Sequence, residues 1–123
     1  MLIQDGALIV KFWLHISKAE QKRRFKAIEK DPLNWWRVSQ EDWDHHAKYN
    51  EYLLAVEEML ERTETEYGPW TIVEATDRRW ARVKIFETIT MRLEEALKDR
   101  GFELPKKAPR PEPAAKPEQA VPV

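Results

Sequence analysis

The 123-residue sequence has no cysteine and three glycines, Gly6, Gly68 and Gly101. Lack of cysteine excludes disulfides, thiolate nucleophiles and cysteine-based zinc or iron–sulfur sites. Three scattered glycines cannot build a glycine-rich phosphate cradle, and no Gly-x-x-x-x-Gly-Lys-Ser/Thr loop occurs. A nucleophile elbow is missing for the same reason. There is no long hydrophobic run. The longest apolar stretch, Ala7 to Ile16, is interrupted by Lys11 and His15 and is about half the roughly 20 residues that a membrane helix takes. Met1 is followed by no basic region or small-residue cleavage site, so no signal peptide is expected. Charge of one sign is not in excess: 21 Lys/Arg face 22 Asp/Glu. A polyanion-coating protein would be strongly basic. These features lead us to expect a cytoplasmic protein with no membrane and no nucleic-acid partner.

What is present is unevenly placed. Six of the eight prolines lie after residue 104 and all 13 aromatics before it. The folding part is therefore expected at 1–104, with 105–123 a disordered Pro/Ala-rich tail or inter-domain linker. Four Lys/Arg against two Asp/Glu in the tail leave the body 17 against 20, a net of −3.

Within the body, Gln4-Asp5-Gly6 signals a turn. Ala7–Ile16 is rich in branched and aromatic residues without clean alternation, the pattern of a strand buried on both faces. Ser17 and Glu20 read as a capping box opening a helix to about Lys30, with Asp31-Pro32 ending it. Its apolar stripe is Gln21, Phe25 and Ile28, with Arg24 at the edge and Arg23 on the far side. Ser39 with Glu41 and Asp42 starts one long helix to about Arg62, striped by Tyr49, Tyr52, Leu53, Val56 and Leu60. Trp70–Ala75 is a second strand candidate. Thr76-Asp77 can cap a last helix with the stripe Val83, Phe86, Ile89, Leu93 and Leu97, closed by Gly101.

Strands alternating with helices imply an α/β fold with a parallel sheet. Two strands are too few for a stable sheet. The body is therefore expected to be the C-terminal half of a larger α/β domain. Alternatively, its partner strands come from another chain.

Open α/β sheets bind ligands beyond the carboxyl ends of their strands. Both basic groups begin there. Ser17 to Arg37 carries seven Lys/Arg against three acids, and Arg78, Arg79, Arg82 and Lys84 open the last helix. Arginine suits bidentate phosphate contact, and helix N-termini favour anions. Most of the lysines read as solvated helix faces, whereas Arg24 points toward a cleft. The acid-rich Glu41–Glu66 also reads as a solvated face. Trp35, Trp36 and Trp43 suit either packing or base stacking. His45 and His46 are adjacent and point apart on a helix, and Asp42 with His46 has no third ligand, so no metal site is expected. His15 reads as a core-edge histidine rather than a base.

The residues together resemble a known family. Lys11–Ser17 and Glu20–Phe25 are similar to a strand and following helix of the polyphosphate kinase 2 family. Asp31-Pro32-Leu33, Trp36-Arg37, Ser39 and Asp42 resemble its lid entry. Glu58-Met59-Leu60, Thr63, Thr65, Pro69–Ala75, Asp77 and Arg82 resemble its last strand and the turn and helix after it. The resemblance spans about residues 1 to 100 in one register. The wording from Trp36 to Trp43 is nearest the tandem-domain branch, the polyphosphate:AMP phosphotransferases.

The resemblance implies the C-terminal part of a P-loop kinase domain, a three-layer α/β/α fold with a parallel sheet and a helical lid, here at about 31–62. It implies phosphoryl transfer between inorganic polyphosphate and a nucleotide, AMP or ADP, with Mg2+ whose ligands lie outside this chain. Walker A and Walker B belong to the preceding half of such a domain, so these 123 residues alone are expected to be inactive. A homo-oligomer and the missing N-terminal half are the implied protein partners. Carried over by position, Arg24 is the catalytic candidate, Arg23, Arg24 and Arg37 the phosphate and polyphosphate contacts, and Asp77, Arg78 and Arg82 the nucleotide edge. The alternative from another class is a non-catalytic anion-binding or interaction module.

Overall fold

The computed structural model describes residues 2–106 and 108–109. Most of the expected tail, Arg110 onward, lies outside the described residues. The order is β1 (Lys11–His15), α1 (Lys18–Lys30), a 3-10 turn (Trp35–Arg37), α2 (Gln40–Ala47), α3 (Tyr49–Thr63), β2 (Trp70–Glu74) and α4 (Arg78–Asp99). The strands pair in parallel from Lys11↔Trp70 to His15↔Glu74. Both carboxyl ends therefore open on one edge, and the backbone N–H of Ala75 extends the ladder to the His15 carbonyl at 2.8 Å.

Local chemistry sets most boundaries. The Ser17 side chain accepts from the Glu20 N–H and begins α1, while Asp31, held extended before Pro32, ends it. Ser39 and Asp42 form a complete reciprocal capping box at α2. The Asp77 carboxylate accepts from the N–H groups of Arg79 and Trp80 and starts α4. Gly101, at φ +81°, closes α4 in a Schellman motif: its N–H reaches the Lys98 carbonyl and the Phe102 N–H reaches the Leu97 carbonyl, both at 2.9 Å.

Three expectations are corrected. The first strand is five residues, not ten, because β2 offers five partners. The expected long helix is two, broken at Lys48 (φ −94°, ψ 16°), whose N–H turns back to the His45 and His46 carbonyls. Just past the break the Tyr49 hydroxyl donates to the Ile16 carbonyl at 2.6 Å, holding the start of α3 against the end of β1. Glu20 does not complete a capping box, because its carboxylate is gripped by Arg23 and Arg24 instead. Among the described residues the apolar stripes do not close into a core. Among the described residues, Val73 and Ala81 are the buried hydrophobics, where α4 packs on β2. Leu14 on β1, and Val83, Phe86, Leu93 and Leu97 on α4, are exposed. In a sheet of two strands, β1 is only half-buried at four of its five positions and exposed at Leu14.

The opposite, amino-terminal edge of the sheet is a structural clasp. Lys11 donates to the Thr63 carbonyl at 2.6 Å and lies over the Trp70 ring at 5.0 Å. The Trp70 indole N–H donates to the Thr63 hydroxyl at 2.8 Å. These contacts tie the end of α3 to the start of both strands and leave the carboxyl edge as the chemically distinct end.

Candidate phosphate-binding edge

At the carboxyl edge, α1 follows β1 after two residues and α4 follows β2 after three. Arg24 ties α1 to the second connection. Its Nη2 donates to the Ala75 carbonyl at 2.5 Å and the Thr76 carbonyl at 3.2 Å. Its Nε donates to Glu20 Oε1 at 3.0 Å. Arg23, one residue earlier, grips the same carboxylate through Nε at 2.8 Å and Nη2 at 2.6 Å.

Two guanidiniums thus share one carboxylate, and the trio keeps a net positive charge. The Glu20 side chain is 11% exposed and that of Arg24 24%, against 67% for Arg23. Hydrogen bonds from Arg23, then Arg24, lower the Glu20 pKa from 4.5 to about 2. The same contact pushes the Arg23 pKa up. The cluster is therefore fully ionised at neutral pH, with Arg24 fixed and Arg23 presented to solvent.

The edge brings Arg23 and Arg24 together, and through Arg24 it joins them to the Ala75–Asp77 connection. Asp77 is occupied as the α4 cap, so the first amides of α4 already hold an anion of their own chain. Arg78 and Arg82 are exposed on the first turns of α4. Arg37 is exposed at the end of the 3-10 turn that packs on α1, and it makes no hydrogen bond to the Arg23–Arg24 pair. Contact thus joins Arg23 and Arg24 through Glu20 and ties Arg24 to the connection that leads to Asp77, while Arg78, Arg82 and Arg37 make no hydrogen bond to the pair.

Sequence reasoning placed Glu20 in a cap and missed it as the organiser of both arginines. The signal was present as its i+3 and i+4 spacing to them. His46 is a packed side chain. It is 9% exposed and packed among Phe25 and Trp43, with Nδ1 at 2.7 Å from Gln21 Oε1. Trp43 is a packing residue whose indole N–H donates to Glu29, whereas Trp35 and Trp36 are exposed. A groove of about 410 Å³ runs beside β1, α2 and α3, lined by Trp13, His15, Tyr49, Tyr52 and their neighbours.

Comparison with known proteins decides the family. The family model for polyphosphate kinase 2 matches residues 1–101. The chain belongs to this family. It is 46% identical over 97 residues to the polyphosphate:AMP phosphotransferase of Pseudomonas aeruginosa, covering 79% of this chain and 20% of that protein. The crystal structure of a putative polyphosphate kinase 2 from Pseudomonas aeruginosa PA01 superposes with a TM-score of 0.74 at 46% identity, over 79% of this chain and 21% of that one. Polyphosphate kinase 2 from Arthrobacter aurescens TC1 superposes with a TM-score of 0.69 at 35% identity, over 86% and 37%. The chain thus spans about a fifth of the length of the curated polyphosphate:AMP phosphotransferases it matches. The parallel strands and helices are part of the α/β, P-loop kinase-like domain of these relatives.

Proposed function

We propose that this chain is the arginine-bearing, C-terminal portion of a kinase domain that moves a phosphoryl group between inorganic polyphosphate and a nucleotide, AMP or ADP. One observation carries the reading: the Glu20–Arg23–Arg24 cluster of α1 is tied through Arg24 to the Ala75 and Thr76 carbonyls just past the carboxyl end of β2, the end of the sheet where α/β proteins bind ligands. Membership of the family supports the reaction class, and similarity to a polyphosphate:AMP phosphotransferase supports the substrates.

Phosphoryl transfer needs positioning and charge stabilisation more than covalent help from the protein. Arg24, held by two carbonyls and a carboxylate, presents its charge with little reorganisation on transfer, which is how preorganised donors lower a barrier. Arg23, exposed beside it, contacts polyphosphate. Residues 31–62 act as a lid whose closure adds Arg37. Asp77, Arg78 and Arg82 border the nucleotide. The described residues contain no group of three or more His, Asp or Glu suited to a metal. In this reading the Mg2+ ligands lie outside this chain, and no step here is routed through the ion. With no Walker A loop among them, the 123 residues alone are inactive in this reading.

The test is polyphosphate-dependent phosphorylation of AMP and ADP with Mg2+. The isolated chain should give none, and robust turnover by it would overturn this account of its missing machinery. Among the described residues no helix is long and apolar enough to cross a bilayer.

A further inference from the structure

Exposed features of this chain can be covered by further polypeptide, but a group already buried within it stays buried. His46 is such a group. It lies on α2 with its ring 5.5 Å from Trp43 and 6.0 Å from Phe25 of α1, and Nδ1 2.7 Å from Gln21 Oε1. Trp43 also meets Phe25 edge-on at 5.2 Å. These side chains make the contact between α1 and α2. Immediately beyond, the backbone breaks at Lys48.

We propose that His46 is a proton-sensitive latch that seats α2 on α1 while neutral and releases it when charged. Among the described residues the geometry gives the imidazolium no partner of opposite charge. From α1 it faces Lys18 and Lys22, which disfavour a further positive charge. On α2, Asp42 one turn back is held by the Ser39 N–H and hydroxyl, and His45 turns toward Glu41 and Tyr52. Glu29 of α1 accepts from the Trp43 indole. From α3, Tyr49 donates to the Ile16 carbonyl. Gln21 offers an amide, not a carboxylate. Burial above all, then the two lysines, holds the His46 pKa below its ordinary value. The consequence for lid position rests on the proposed function, but the latch does not.

The sign is fixed. With the seated pKa below about 6.5, the released state takes up protons first, so seating weakens as pH falls through that value, by up to tenfold per unit. Hydrogen–deuterium exchange of the 123-residue chain from pH 7.5 to 5, corrected for intrinsic rates, reads this without any activity assay. Peptides spanning 40–47 should lose protection relative to those of α4. Gln21→Glu, which gives the imidazolium a carboxylate, should abolish or reverse that loss, and His46→Phe should flatten it. A wild-type profile in which 40–47 and α4 respond alike overturns the latch. So does a Gln21→Glu profile that loosens like the wild type, even where His46→Phe fails to fold. Failure of the kinase reading would leave these exchange results unaffected.

Discussion

At the residue scale, the central object is one carboxylate between two arginines. Glu20, Arg23 and Arg24 are spaced so that one helix turn brings all three together, and that much was readable from i, i+3 and i+4 spacing. The link from Arg24 to the Ala75 and Thr76 carbonyls was not readable, because those partners lie about 50 positions away and depend on the parallel register. We expect Arg24→Ala, placed in a complete enzyme, to lower turnover by about 10²-fold, the order seen when one charge-stabilising donor is removed. Arg24→Lys should recover little, since an ammonium cannot span a carboxylate and two carbonyls as a planar guanidinium does. Unchanged turnover in the alanine variant, measured at saturating polyphosphate and nucleotide, would remove Arg24 from the catalytic role. Glu20 makes a separate pH prediction. Its pKa falls on folding, so its contribution to stability is present above about 4.5 and is lost as pH falls toward about 2. Glu20→Gln should flatten that part of an acid unfolding curve followed by circular dichroism, and an acid limb identical to wild type would contradict the ion-pair account.

At the element scale, the helix ends were the most legible feature. Ser17, Ser39, Asp77, Asp31-Pro32 and Gly101 all act where the sequence puts them. Such signals are local, so they survive whatever the rest of the fold does. The break at Lys48 was hidden for the converse reason: no proline or glycine marks it, and the side chain that holds the next turn, Tyr49, acts through the distant Ile16 carbonyl. The α4 stripe names a face to be covered and not what covers it. Ser39→Ala should cost about 1 kcal/mol, typical for an N-cap. Chemical denaturation reads this directly, and a loss under a few tenths would show that the α2 cap contributes little. Gly101→Ala forces a side chain to φ +81° and should destabilise by roughly 1–2 kcal/mol, fraying the end of α4.

At the scale of the whole molecule, the imbalance between apolar surface and core dominates. Both strands have an open edge among the described residues, and Leu14, Phe86 and Leu93 lie uncovered. Unpaired strand edges template pairing with other chains, so the isolated chain should self-associate at micromolar concentration. A monomer at all concentrations by analytical ultracentrifugation would contradict this. The strand count already exposed the shortfall in the sequence, since a doubly buried strand pattern demanded more neighbours than the chain provides.

The account stands or falls on whether this segment performs its proposed part inside a complete domain. The most direct measurement is polyphosphate-dependent phosphorylation of AMP by the Pseudomonas aeruginosa relative in which the matching segment is replaced by residues 1–101 of this chain. The account predicts a folded chimera with turnover near that of the parent, falling about 10²-fold on Arg24→Ala. A folded chimera without turnover, or one indifferent to Arg24, would contradict it.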